Sequence, residues 1–532
     1  MERVNIIGAG LAGLSSAITL AKSGKPCALI SSQASERAQS VMAEGGINAA
    51  LDVMGEHDTT AEHFSDTMKG GVFLADPNAV AGLTDGAPGI VRWLHEIGVP
   101  FQFENGQMIQ RNFGGQKKKR TAYAKSSTGK AIMTALIDEA RKYEAAGLIE
   151  RFSHHTAVDI SVCSGHCTGV VVHDVFTGKT EIFPGNVILA NGGLNGFFPG
   201  QTTGTTQNTG DLAAALFARG MEFADLEFIQ YHPTTVQIHG KRMLISEAAR
   251  GEGGRLFTER SGSRWYFMEE LYPELGNLMP RDVISREMFK VIHDPECGGQ
   301  VYLDMTGLPQ ETWKHKLSDM RAEIIDYLGI DPVEKPVAVS PGIHFFMGGI
   351  YVNEKHETSI PGAYAAGECA CQYHGANRLG GNSMLGAMYG GRTAAQNALT
   401  APESSETAKV IQADCIKDQA RPSAAKELCD ILLSGLGIIR SGKDITAAIM
   451  ELEKTLTSSV SKPERDRILL GKAMLMSALE RRESRGAHTR SDFPQRDDEE
   501  FRRTTVACIK NGSISIEMRS IPKRRTEDAV HA

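Results

Sequence analysis

Three glycines, Gly8, Gly10 and Gly13, sit between an apolar run, Val4 to Ile7, and a segment that places Leu11, Leu14, Ala17, Ile18 and Ala21 on one helical face. Glycines at that spacing let the chain turn tightly and leave free amides at a helix amino terminus, where a pyrophosphate binds. Gly24 closes the predicted helix, and a second apolar run, Cys27 to Ile30, follows at once. Strand, glycine turn, helix and strand in that order open a doubly wound α/β sheet of the kind that holds a dinucleotide. The acidic residue that would hold an NAD ribose after the second strand is missing, because Ser31, Ser32 and Gln33 occupy that place. An ordinary nicotinamide enzyme is thereby disfavoured. Further on, Glu44, Gly45 and Gly46 form a small-residue loop whose backbone can approach a flat ring.

Two more short strands, Asn186 to Ala190 and Ala363 to Ala366, run into glycine far along the chain, so one sheet is interrupted by insertions. Residues 221–343 are richer in aromatics, His and Arg, which predicts a second domain closing over the first. The expected division is 1–220 and 344–400 for the nucleotide-binding domain, 221–343 for the inserted domain, and 401–532 for a helical carboxyl-terminal domain and tail. In the last part Ile445, Ile449, Leu452 and Leu456 recur at helical spacing, and Pro463 to Glu480 predicts another helix. The chain after Ile521 is expected to fray. A length of 532 residues suits several domains around a large interior.

Lys plus Arg number 57 against 64 Asp plus Glu, a formal net charge of −7, which argues against a broad nucleic-acid footprint. A local basic pocket for a small anion remains open. Nine cysteines, at 27, 163, 167, 297, 369, 371, 415, 429 and 508, lack the paired CxxC spacing of a zinc or iron–sulfur site, so no metal site is expected and reduced thiols are. Met1 leads straight into an apolar strand without signal-peptide architecture, and no run approaches the roughly 18 apolar residues of a membrane span. A cytoplasmic chain is expected.

Several longer segments carry a family resemblance: GAGLAG, MAEGGINAAL, RNFGGQKKKRTAYA, EFIQYHPTT, SEAARGEGG, MPRD, HFFMGG, AAGECACQYHGANRLGGNSML and RRESRGAHTRSDFP. The chain resembles the flavoprotein subunits of succinate dehydrogenase and fumarate reductase, with L-aspartate oxidase as a close relative. The resemblance implies an α/β fold: a doubly wound FAD-binding Rossmann-like domain, an inserted α+β capping domain and a helical carboxyl-terminal domain. It places FAD on Gly8, Gly10, Gly13, Ser32, Ala43, Gly45, Gly46, Asp211, Glu368, Arg378, Ser383 and Leu385. Glu368 suits that role, since a carboxylate can accept hydrogen bonds from ribityl hydroxyls while Gly367 permits close approach. Where respiratory members carry a flavin-linking His, this chain has Gln39, and no other His occurs between residues 1 and 56. Non-covalent FAD is expected, and with it a weaker oxidant that favours fumarate reduction.

A flat C4 diacid needs an anion clamp at each end. By resemblance, His232 and Ser246 hold one carboxylate, and His344 and Arg378 hold the other. The proton donor corresponds to Arg281, resupplied through Glu247 and Arg250, and Phe113 with the glycines after it lines the substrate pocket. Lys117, Lys118, Lys119 and Arg120 read as a solvated basic loop. L-aspartate oxidase would need an acidic partner for the substrate ammonium, yet no Asp or Glu lies between Asn105 and Ile137, and Gln116 stands in the pocket-lining segment. A reading of another class is a flavin-bearing scaffold or redox-interaction subunit without turnover, disfavoured by the intact Arg281, Glu247 and Arg378. The resemblance also implies an iron–sulfur electron-transfer subunit docking near ESRGAHTRSDFP, and membrane association only through partner subunits.

Overall fold

The computed structural model describes residues 3–125, 127–401, 422–458 and 460–525. Strand Val4–Ile7 pairs in parallel with Cys27–Ser31 and with Val187–Leu189, so Ile6 lies opposite both Leu29 and Ile188. Ala363–Ala365 extends the sheet beyond Val187–Leu189, and Ile149–Ser153 extends it beyond Cys27–Ser31. Cys27–Ser31 and Val187–Leu189 read as almost unbroken apolar runs, and Val4–Ile7 is broken only by Asn5, because both faces are covered, whereas the edge strand Ile149–Ser153 carries Glu150 and Arg151. On one face Ile6, Leu29 and Ile188 pack with residues of helices Leu11–Lys22, Thr128–Ala145 and Asn382–Thr400. On the other, Ile7, Ile30 and Leu189 pack against Ile160 and Val170 of an antiparallel three-stranded sheet, His155–Cys163, His166–Asp174 and Thr180–Pro184. Successive residues of each strand thus serve opposite cores, the period of two that a strand imposes.

A second, antiparallel sheet of six strands forms its own core. Its order is Lys241–Leu244, Ile229–Ile238, Val337–Phe346, Cys297–Asp304, Arg255–Arg260 and Ser263–Trp265. Leu256, Val301, Leu303 and Val339 meet Ile284 and Met288 of helix Arg281–His293 beneath it. The strand Val337–Phe346 leads from this sheet to Glu368 of the nucleotide-binding part, whose Oε1 accepts the Phe346 amide at 3.1 Å. This link brings residues of the two sheets to one cavity.

Helices Pro422–Leu436, Gly442–Leu456 and Lys462–Glu480 pack through Leu432, Leu436, Ile445, Leu452 and Leu475. The helical reading of this region omits a hairpin, Arg503–Lys510 and Ser513–Ser520, that joins Phe223–Ala224, Gly349–Tyr351 and Ala370–Cys371 in a five-stranded sheet. Its turn is Asn511-Gly512 with φ of 51° and 77°, the left-handed pair that a two-residue hairpin turn requires. The expected fraying after Ile521 does not begin there. Asn78 Nδ2 donates to the Lys523 carbonyl at 3.1 Å, and the Arg525 amide donates to Asn78 Oδ1 at 2.9 Å; the rest of that tail lies outside the described residues. The described cysteines are all free thiols, and burial pushes Cys27, Cys167 and Cys429 up to about 12. Among the described residues, no helix is long and apolar enough to cross a membrane.

Candidate active site

The glycine turn is shaped by close backbone contacts. A Cβ on Gly13 would lie 1.8 Å from the Gly8 carbonyl oxygen, and one on Gly8, at φ +108°, would lie 2.2 Å from the Ala190 oxygen. No side chain can replace hydrogen at either place without moving a strand. Gly10, at the N-cap of helix Leu11–Lys22, brings no capping side chain; the Leu11 amide donates to Ser40 Oγ at 3.3 Å, which leaves the amides of Ala12 and Gly13 in the first turn to face an anion.

From this turn a cavity of about 1660 Å³ opens. Of the residues expected to hold the cofactor, Gly8, Gly10, Ser32, Ala43, Gly45, Gly46, Asp211, Glu368, Arg378 and Ser383 line it. Gly13 and Leu385 do not: Gly13 packs beneath the turn, and Leu385 is fully buried in the helix core. Gln39 also lines the cavity and accepts the Thr205 amide through Oε1 at 2.5 Å, pinning the neighbouring loop. Two features mark a cavity shaped for a polar cofactor. Asn191 Oδ1 is buried on its wall without a protein partner, and burial pushes the Glu368 carboxyl up to about 7. Hydroxyl donors of a bound FAD would satisfy both.

The same cavity reaches Phe113, His232, Ser246, Glu247, Arg281, His344 and Arg378. His232 and Ser246 come from either side of a tight return: Thr234, two residues after His232, accepts the Ile245 amide with its carbonyl and gives its hydroxyl to the Ile245 carbonyl. The Thr234 amide donates to His232 Nδ1 at 3.3 Å, which leaves the proton of the neutral ring on Nε2; that nitrogen is buried without a protein partner. The rings of His232 and His344 meet edge to face, centroids 5.1 Å apart, and His344 Nδ1 is bonded to the Thr203 hydroxyl at 2.8 Å. Burial, then the neighbouring arginines, hold both imidazoles well below the usual histidine range, so both are neutral.

Arg281 begins helix Arg281–His293 and reaches Glu247 Oε2 through Nε and Nη2, both at 2.8 Å. The other oxygen of Glu247 accepts the Gly114 amide at 2.8 Å. Burial works against ionisation of Glu247, but Arg281 and Arg250 outweigh it and hold the carboxyl below its ordinary value. Arg250 does not line the cavity. It donates through Nη1 to the Asn277 carbonyl at 2.6 Å, its Nε and Nη2 have no protein partner, and its charge acts on Glu247 from behind. Arg378 lies over the Phe345 ring at 4.5 Å, and Phe113 packs against Gly45 and Gly380, joining the glycine loop to this end of the cavity.

The basic run is a solvated loop only at its lysines. Lys117 and Lys119 are exposed, but Arg120 is fully buried between Asp58 Oδ1 at 2.8 Å and Asp66 Oδ2 at 3.0 Å. Two carboxylates close enough to neutralise a guanidinium draw it inside, and they anchor the loop that carries Phe113 and Gly114. The segment expected at a partner contact is partly interior, buried at Glu483, Arg485, Ala487, His488 and Arg490 and exposed from Ser491 to Pro494. Arg481, just before it, is also buried, with Nε on Glu227 Oε1 at 2.6 Å. Sequence reasoning missed Gln230, fully buried and bonded to both Arg281 and Arg378. Its place two residues before His232 on one strand was the available signal.

Fold and cavity together define the class, an oxidoreductase built around a dinucleotide cofactor with a cationic pocket. Residues 3–384 match the FAD binding domain family, and residues 463–528 match the fumarate reductase flavoprotein C-terminal family. The succinate dehydrogenase flavoprotein subunit of Bacillus subtilis is 34% identical over 94% of this chain and 93% of its own length. The 8-methylmenaquinol:fumarate reductase flavoprotein subunit of Wolinella succinogenes is 34% identical over 96% of this chain and 89% of its own length. A solved E. coli quinol fumarate reductase chain superposes with a TM-score of 0.87 at 30% identity, covering 98% of this chain and 96% of that one. The chain belongs to the succinate dehydrogenase/fumarate reductase flavoprotein family of FAD-dependent enzymes.

Proposed function

We propose that this protein interconverts fumarate and succinate, working as a fumarate reductase. The observation that carries the reading is the meeting of neutral His232 and His344 with the guanidinium groups of Arg281 and Arg378 on the wall of the FAD cavity. When bound, FAD supplies hydride exchange with the dicarboxylate. The cofactor residues are proposed to be those that line the cavity, and Gln39 in place of a linking histidine leaves the flavin non-covalent and more reducing.

His232 Nε2–H and the Ser246 hydroxyl donate to one carboxylate, while His344 and the fork of Arg378 donate to the other. Because both histidines are held neutral, they act as hydrogen-bond donors rather than as fixed charges, and Arg378 supplies the cation. Arg281 holds the proton that goes to the carbon not attacked by hydride. Arg281 regains its proton through Glu247: the ionised carboxylate, bonded to Arg281 and to the Gly114 amide, first takes up a proton from the side of Arg250 and then passes it to Arg281. A separate iron–sulfur subunit is the proposed electron source. Purified FAD-loaded protein tests the reading with a reduced dye. Dye oxidation that depends on fumarate supports it, whereas peroxide formed from L-aspartate and oxygen, without fumarate turnover, overturns it.

A further inference from the structure

Arg281 and Arg378 converge on one oxygen. Gln230 Oε1 accepts Arg281 Nη1 at 3.1 Å and Arg378 Nη2 at 3.0 Å, and the side chain is fully buried. Two like charges brought to one acceptor repel, and this repulsion, after burial, holds Arg378 well below the usual arginine range. An acceptor between them is therefore needed to keep either guanidinium in a single orientation.

The amide cannot be turned around. Gln230 Nε2 donates to Asn377 Oδ1 and to the Arg378 carbonyl, each at 2.8 Å, so a flip would set NH₂ against two cations and a carbonyl against two acceptors. Asn377 is oriented in turn by donating Nδ2 to Asp282 Oδ1 at 2.9 Å. Neighbours Arg281 and Asp282 on one element, and neighbours Asn377 and Arg378 on another, are thus tied into a ring through Gln230. Glu247 and the Gly114 amide hold the other side of Arg281.

We propose that Gln230 is a positioning residue that aims the proton-donating Arg281 and the carboxylate-gripping Arg378 at one substrate, so that changes on one arginine are felt by the other. The inference rests on the fumarate reading above. Loss of the shared acceptor frees Arg281 Nη1 and Arg378 Nη2, leaving Arg281 to pivot on Glu247 and Arg378 on the Leu379 carbonyl. A misplacement of about 1 Å at a reacting group costs on the order of 100-fold in rate.

The test uses FAD-loaded Gln230→Met, which keeps length and volume but removes the acceptor, and Gln230→Glu, which keeps the acceptor and adds a charge. Dye-coupled fumarate turnover is measured beside calorimetric binding of malonate, an inert dicarboxylate. With FAD content and Tm retained, Gln230→Met is expected to lower kcat by about 100-fold and malonate affinity by about 10-fold. Gln230→Glu is expected instead to raise KM and weaken malonate by at least about 10-fold, since its carboxylate competes with substrate for both guanidiniums. The split between the two variants is a signature that loss of packing would not give. Malonate affinity within about twofold of wild type in both variants overturns the proposal, as does an unchanged kcat in Gln230→Met. Should Gln230→Met fail to fold, Gln230→Glu with unaltered KM and malonate binding overturns it alone. A wild type that binds malonate but does not reduce fumarate defeats the fumarate reading, while the malonate comparison still decides the role of Gln230.

Discussion

Glu368 and Arg281 face opposite demands. Glu368 is forced by burial to about 7, so in FAD-free protein its ionisation works against folding. A carboxyl raised in the folded state stabilises fully below its unfolded value of about 4.3, and that contribution is lost as pH rises through about 7. Glu368→Gln is therefore expected to raise the Tm of FAD-free protein by a few degrees at pH 8 and little at pH 5, while weakening FAD retention. Thermal scans at the two pH values and flavin content after gel filtration check both halves. Arg281 is expected to show its role in rate rather than in binding. Arg281→Lys keeps the charge but not the fork onto Glu247 and Gln230, and fumarate turnover should fall by about 10²–10⁴-fold, with a much smaller loss of malonate affinity passed to Arg378 through Gln230. The sequence made such residues legible one motif at a time. It marked Gln230 only by its place two residues before His232, because an amide's role is seen only when its partners, 51 and 148 positions away, are found to share its oxygen.

The loop from Arg111 to Thr121 shows how an element of little regular structure is made rigid. Arg120, with Asp58 and Asp66, pins one end, and Gly114 presents its amide to Glu247 at the other. A Cβ on Gly114 would lie 2.7 Å from Glu247 Oε1 and 3.0 Å from the Leu278 carbonyl, so Gly114→Ala must push the loop from the carboxylate. Fumarate kcat is expected to fall by about 10–100-fold, with malonate binding little changed, in steady-state kinetics and calorimetry. Arg120→Met leaves two carboxylates buried without their cation and is expected to cost about 3–5 kcal/mol, read as a lowered denaturant midpoint. Arg120 read as solvated with the lysines before it because its neutralising acids lie more than fifty residues earlier and no local pattern announces them. The carboxyl-terminal hairpin was legible in principle. Asn511-Gly512 between alternating residues is a hairpin signal, obscured by the helical stretch that precedes it.

Taken whole, the molecule buries an unusual set of neutral imidazoles. His63 and His374 are pulled by burial down to about 3 and His356 to about 4, while His232, His344 and His488 lie well below the ordinary range. A depressed histidine pKa means the unfolded chain binds protons that the folded chain refuses. Stability is then unaffected above the unfolded value of about 6.5 and is lost progressively as pH falls toward the folded values. The Tm is expected to fall steeply between pH 6.5 and about 4.5, faster than carboxylate protonation alone would give; a flat profile there contradicts the buried neutral rings. The opening of the parallel sheet was legible from its first thirty residues, whereas the strand order was not, since Val187–Leu189 and Ala363–Ala365 enter only through distant pairing. The assembly as a whole stands or falls on whether an anionic diacid meets reduced flavin in this cavity. Single-turnover stopped flow answers this: the FAD-loaded enzyme is reduced anaerobically and mixed with fumarate. Rapid return of the oxidised-flavin absorbance, abolished in Arg378→Met, is the expected result. A flavin that stays reduced with fumarate, or an oxidised flavin bleached by L-aspartate instead, would contradict it.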